Sequence, residues 1–160
     1  MNVKLIPMTR ELFHELWQGF EYDPATFMDS ALYDKLKDYK YDPAKVNAHY
    51  DKRISDDSTL TFAIMLISSV IGEVVLKHID LSAKQCELGI HLKNDSVKNK
   101  GYGTEAENLA IEYAFNVLGM DRILADSIVK NIRSQHILKK LGFRLLREEN
   151  GFKFYMLEKE

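Results

Sequence analysis

The chain has 160 residues, 46% apolar and 29% charged, with a formal net charge of −2. That length and composition fit one globular domain with a core of its own and exclude a disordered or fibrous chain. The charge balance leaves no basic excess for wrapping nucleic acid, and a single cysteine, Cys86, excludes an internal disulfide framework and any multi-cysteine metal site.

Val3 to Pro7 reads as a short strand, and Met1 to Pro7 lacks the long apolar stretch of a signal peptide. Thr9 reads as the N-cap of a helix over roughly Glu11 to Phe20, with Leu12, Phe13, Leu16 and Trp17 at helical spacing. Two Asp-Pro pairs, Asp23-Pro24 and Asp42-Pro43, suit the cap and first position of helices near 25–37 and 44–54. Leu60 to Ile67 and Val70 to Ile79 read as a hairpin turning at Ser68-Ser69. This apolar run, from Phe62 to Ile71, is too short to span a bilayer. Gln85 to Leu92 is a third strand of the second half. A helix follows over Thr104 to Leu118, with Ala106, Leu109, Ala110, Tyr113 and Val117 as its apolar stripe, ended by Gly119. Arg122 to Val129 is a strand and Asn131 to Leu141 a helix closed by Gly142. Phe143 to Arg147 and Phe152 to Glu158 pair around Asn150-Gly151, a hairpin-turn dipeptide.

The order β-α-α-α-β-β-β-α-β-α-β-β predicts an α/β (α+β) fold: a mixed, mostly antiparallel sheet of about seven strands flanked by helices. Residues 1–160 form a single domain, with a helical segment over 1–57 and a core over 60–158. No linker or repeat divides them, and a soluble, cytoplasmic protein without membrane or nucleic-acid partners is expected.

The segment Lys98-Asn99-Lys100-Gly101-Tyr102-Gly103-Thr104 joins the strand ending near Leu92 to the long helix. Two glycines two apart allow positive φ and close approach of a ligand. The helix start presents unpaired N–H groups and the positive end of the dipole, a site for phosphate or pyrophosphate. Lys98 and Lys100 add charge. A plain strand-to-helix turn with solvated lysines accounts for the same residues. No Gly-Lys-Ser/Thr follows, and Ala106 stands where a dinucleotide fingerprint would place its third glycine, so neither nucleotide loop fits.

Taken with Glu87-Leu88-Gly89-Ile90, Asn131-Ile132-Arg133-Ser134 and Lys139-Lys140-Leu141-Gly142-Phe143, this loop resembles the GNAT superfamily of acyl-CoA-dependent N-acyltransferases. The resemblance covers residues 60–158 and is to the branch that includes ribosomal-protein and polyamine N-acetyltransferases. It implies a GNAT-like fold, acetyl-CoA as cosubstrate, no metal, and direct acetyl transfer to a primary amine: a polyamine, another small amine, or a peptide or protein amine. A homodimer is compatible with it. By the resemblance, residues Lys98, Asn99, Lys100, Gly101, Tyr102, Gly103 and Thr104 hold the pyrophosphate, Leu92 and Lys93 pair with the pantetheine arm, Asn131 contacts it, and Ser134 lies beside the cofactor. The segment 1–57 would form the substrate side.

The sequence departs from the family in two places. Lys98 replaces the usual Gln or Arg, in a connection one residue longer than in many members. Leu138 replaces the tyrosine that commonly protonates the leaving thiolate, which leaves Ser134, and more weakly Tyr155, as candidate acids. That loss keeps open a second reading, an acyl-CoA-binding sensor or partner module without turnover. A third reading is an unrelated phosphate-ligand protein that uses the glycine loop.

Direct transfer needs a neutral amine. A lysine-type amine is only about 0.04% neutral at pH 7 and an α-amine about 10–20%, so a general base matters most for the former. Glu87, Gly89 and His91 alternate along one strand and face one side. Glu87 and His91 are the candidate proton relay, against a plain pairing of Glu87 with Lys77 and a surface role for His91. Glu73 on the neighbouring strand is a third candidate, more readily structural. His14, His49, His78 and His136 have no supporting constellation. Cys86 faces the opposite side and reads as a small buried residue. Residues 21–57 hold nine acidic residues against six basic ones, with six Tyr or Phe. They are either a lid attracting a cationic amine or solvated helices packing their aromatics on the core.

Overall fold

The structure is a computed structural model and describes residues 2–160. Strands β1 (Val3–Pro7), β2 (Leu60–Leu66), β3 (Ser69–Asp80), β4 (Gln85–Leu92), β5 (Arg122–Ile128), β6 (Arg144–Glu149) and β7 (Phe152–Glu158) form one sheet in the order β1-β2-β3-β4-β5-β7-β6. Only β4 and β5 are parallel neighbours; every other pair is antiparallel. The helices are α1 (Arg10–Gln18), α2 (Ser30–Leu36), α3 (Pro43–Ile54), α4 (Tyr102–Asn116) and α5 (Ile132–Lys140). The mixed, mostly antiparallel seven-stranded sheet is the expected one.

The helix starts follow from side-chain caps that satisfy free backbone donors. Thr9 accepts from Leu12 N, Asp42 from Ala44 N and Lys45 N, and Asn131 from Ser134 N. Asn150 and Gly151 both have positive φ, 52° and 82°, as the β6–β7 turn requires.

Four local expectations are corrected. The helix expected over 25–37 is two pieces: Asp23 caps only a 3-10 turn over Pro24–Thr26, and a second cap, Asp29, starts α2. The β2–β3 turn is Ile67-Ser68, because Leu66 pairs with Ser69. Helix α4 begins at Tyr102, so Tyr102, Gly103 and Thr104 of the glycine segment belong to its first turn. Its buried stripe runs through Ala106, Ala110 and Ala114 and takes in Glu107 and Ile111, while Val117 is exposed. Small alanines let α4 sit close on the sheet and so select the contact face.

The core has two sides. Phe62, Ile64, Val74, Leu76, Cys86 and Leu88 meet the α4 alanines, Leu138 of α5 and Tyr155 of β7 on one face. Ala63, Met65 and Val70 meet Leu16 of α1 on the other.

Candidate active site

The site arises where β4 and β5 part. They pair only at Gln85–Arg122, Cys86–Ile123 and Glu87–Leu124. Beyond Glu87, β4 stays with β3 as far as Leu92, while β5 stays with β7 as far as Ile128. Peptide groups of Leu88 to Leu92 that point away from β3 thus have no strand partner among the described residues. A cleft of about 490 Å³ fills the opening. Gly72 lets β3 lie close against β4, since a Cβ there would lie 2.4 Å from the His91 carbonyl oxygen. Gly89 faces the cleft with no atom within 4 Å of where a Cβ would stand.

At one end is the α4 N-terminus. Its cap, Gly101, has φ +84° and no side-chain hydrogen bond, so the first-turn N–H groups carry no side-chain cap. Gly103 is helical and buried, and a Cβ there would make only ordinary contact, 3.5 Å from Leu92 Cδ1. Positive φ is therefore required at Gly101 alone of the two. Of the expected cofactor residues, Leu92, Lys98, Gly103, Asn131 and Ser134 line the cleft. Asn99, Lys100, Gly101, Tyr102 and Thr104 lie outside its lining, around the helix start. Lys93 is also outside. Its N–H donates to Ile71 O at 2.7 Å, its carbonyl accepts from Glu21 N at 2.9 Å, and its side chain lies over Gly19. Both of its backbone groups are thus already hydrogen-bonded within the chain. Lys98 is not a free cation: Nζ is 3.3 Å from Asp23 and 3.4 Å from Asp95.

The candidate catalytic residues Glu87, His91 and Ser134 all line the cleft, but the expected Glu87–His91 relay is two separate pairs. Glu87 Oε2 is 2.8 Å from His78 Nδ1. His91 Nδ1 is 3.4 Å from Glu73 Oε1. His78 reaches Glu87 because a bulge between Lys77 and Asp80 gives it φ +52° and breaks the strand alternation. Glu73 is 1% exposed and also receives Arg53 Nη2 at 2.8 Å. Burial alone would raise its pKa; hydrogen bonds from His91 and Arg53 outweigh burial and hold it below the usual carboxylate range. Glu73 is thus an ionised strut that orients His91. Cys86 is fully buried, and burial pushes its thiol up to about 11, which leaves it no nucleophilic role. Tyr155 is 1% exposed in the core and does not line the cleft. Leu138 does line it, at 2% exposure.

Several lining groups escaped the sequence reading. Asp126 faces the cleft on β5, and burial, then the Glu87 charge, raises its pKa. Lys77 and Glu107 line it as well. A strap crosses the end of β4 that leads toward α4. Glu21 N bonds Lys93 O, Asn94 Nδ2 bonds Gly19 O at 3.0 Å, and Asp23 meets Lys98. The strap brings Trp17, Phe20, Tyr22 and Phe27 to the cleft. Their rings pack against one another, Trp17–Phe20 tilted at 4.4 Å and Phe20–Tyr22 edge to face at 5.1 Å. The acidic residues of 21–57 are mostly spent elsewhere. Asp29 and Asp42 cap helices, and Asp34 and Asp51 pair with Lys37 and Arg10. Of the acidic residues in that segment, only Glu21 and Asp23 line the cleft.

No helix among the described residues is long and apolar enough to cross a membrane. The acetyltransferase (GNAT) domain matches residues 2–144. The chain is 33% identical over 96 residues to the probable N-acetyltransferase YjcK of Bacillus subtilis (strain 168), covering 59% of this chain and 53% of that protein. It is 32% identical over 94 residues to the spermidine N(1)-acetyltransferase of Escherichia coli (strain K12), covering 59% and 50%. The chain thus matches about half the length of these curated relatives. The spermidine N-acetyltransferase from Vibrio cholerae in complex with CoA and spermine superposes with a TM-score of 0.75 at 19% identity, over 98% of this chain and 95% of that one. A splayed β4–β5 pair, a glycine-capped α4 and a domain match over most of the residues lead to one conclusion: the chain belongs to the GNAT acetyltransferase family.

Proposed function

We propose that this protein transfers the acetyl group of acetyl-CoA directly to a primary amine, and that the acceptor is a small cationic amine of the polyamine class. The observation that carries the reading is the splay beyond Glu87. It leaves a free strand edge beside a helix start that has no side-chain cap, in a cleft lined by aromatic rings and carboxylates. The free N–H groups of α4 suit pyrophosphate, and the unpaired edge of Leu88 to Leu92 suits the amides of a pantetheine arm. Asn131 and Ser134 flank that edge. The V. cholerae neighbour holds CoA and spermine, and the E. coli relative acts on spermidine, both in keeping with this assignment.

At the acceptor end, Glu87 and Asp126 place two carboxylates on the cleft wall, with Glu21 on the strap. Together with Trp17, Phe20 and Tyr22 they attract and orient an ammonium group. Glu87, bonded to His78, takes the proton from the attacking nitrogen, and His91, oriented by Glu73, assists. A backbone N–H of the open edge supports negative charge on the reacting carbonyl oxygen. The reading keeps the expectation of a cytoplasmic protein.

The test is thiol release from acetyl-CoA across polyamines, amino acids, aminoglycosides and short peptides. Glu87→Gln is expected to lower kcat about 10²-fold with little change in CoA affinity. Near-wild-type turnover in that variant refutes the base assignment. Leu138 at the usual tyrosine position favours one rival, an acyl-CoA-binding module without turnover. Tight acetyl-CoA binding with no thiol release for any amine would establish it.

A further inference from the structure

Glu107 is the one carboxylate placed among the alanines of α4's contact face. It is 5% exposed, lines the cleft, and has no hydrogen bond or ion pair among the described residues. An isolated buried carboxylate is costly, so the group prefers its neutral acid form. It lies four residues past Gly103, about 6 Å further along the helix axis. That is one turn inward from the helix start that suits pyrophosphate, under the opening between β4 and β5. Leu138 lines the same cleft from α5, on the same side of the sheet. The helix that lacks its tyrosine and the helix that carries an extra acid thus line one cleft.

We propose that Glu107, as a carboxylic acid, donates the proton that the departing CoA sulfur requires. The inference rests on the acetyltransferase reading above. In the transfer, the nitrogen lone pair forms the C–N bond and the C–S electron pair leaves on sulfur. Nitrogen loses its proton to Glu87, and sulfur takes one from the Glu107 carboxyl, which is reloaded from solvent after the products depart. Burial pushes Glu107 up to about 7, while an ordinary thiol lies near 8.5, so this proton transfer runs downhill. The elements packed on α4, namely β1, β2, β3, β4 and β5, present apolar groups to it. The titratable side chains of that cluster are a thiol and three phenols, Cys86, Tyr102, Tyr113 and Tyr155. Lys77, Glu87, His91 and Asp126 belong to the opposite face of the sheet, Lys98 is already paired with Asp23 and Asp95, and Arg133 lies 3.9 Å from Asp23. Nothing nearby is placed to hold Glu107 ionised.

Two measurements test the assignment. In the ligand-free protein with 13C-labelled glutamate carboxyls, one carboxyl is expected to titrate near 7, and its signal is absent from Glu107→Gln. In turnover, the proton is needed on Glu107, so wild-type kcat falls as pH rises through a limb at or above about 7. Glu107→Gln loses that limb and about 10²-fold in kcat, with CoA affinity changed less than about threefold. Adding Leu138→Tyr to that variant is expected to restore part of kcat. If Glu107→Gln does not fold, Glu107→Leu, which completes the apolar surroundings, carries the same comparison. A Glu107 that titrates in the ordinary carboxylate range, or a variant with wild-type kcat and an unchanged limb, overturns the acid role alone. A wild type that acetylates no amine overturns both this role and the function proposed above.

Discussion

Arg53→Met isolates the strut beneath His91. Glu73 is 1% exposed and its guanidinium partner makes two contacts, 2.8 and 3.4 Å, while His91 stands 3.4 Å away. Methionine keeps most of the stem but leaves the carboxylate buried with one weak partner. Breaking a buried pair from one side costs about 3–5 kcal/mol, but a carboxylate can limit the loss by taking a proton. With an ordinary glutamate value of about 4.3 in the unfolded chain, protonation at pH 7 costs about 3.7 kcal/mol, and at pH 5 about 1 kcal/mol. In the wild type the folded Glu73 is depressed, so its contribution is fully present above the unfolded value and is lost only as pH falls through the folded one. Between pH 7 and 5 the wild type is therefore flat in this group, and the variant regains stability. Urea unfolding at both pH values should show a destabilisation of about 3.7 kcal/mol shrinking to about 1 kcal/mol, plus a constant part from the lost contacts to Thr61 and Phe13. Arg53→Met/Glu73→Gln should remove most of the pH-dependent part. A penalty equal at pH 5 and 7, or undiminished in the double variant, would show that Glu73 is not held as an ion by Arg53.

Two further substitutions separate strain from space at the cofactor end. Gly101→Ala meets no atom, but the left-handed φ of +84° costs about 1–2 kcal/mol. Thermal denaturation should show that loss, and calorimetry a weaker acetyl-CoA affinity; unchanged stability would mean that this turn does not need glycine. Gly89→Leu has the opposite signature. The added side chain projects into open cleft, so the melting temperature should barely move while acetyl-CoA binding weakens at least tenfold, about 1.4 kcal/mol. Unimpaired binding in a folded variant would place the cofactor elsewhere.

Much of this protein is local and was therefore legible in the residues. Thr9, Asp42 and Asn131 each accept from an N–H two or three residues ahead, and Asn150-Gly151 takes the positive φ pair of its hairpin. Such interactions depend on neighbours in sequence, as do the strand and helix periods that define the seven-stranded order. The glycine segment and the Asn131 to Phe143 run carried the family resemblance for the same reason. What the sequence could not contain is which groups meet across elements. Glu87 and His91 alternate correctly on one strand face, yet a bulge at His78 and the buried Glu73 claim one each. Lys93 and Lys98 stand at the expected positions, but the strap from Gly19 to Phe27 occupies the backbone of one and the charge of the other. Glu107 lies outside the stripe that spacing marks on α4, and the close packing of Ala106, Ala110 and Ala114 turns its side of the helix inward. Caps and turns are decided by spacing along the chain. The environment of an ionisable group is decided by what other elements pack around it, because burial and partner charges act through space.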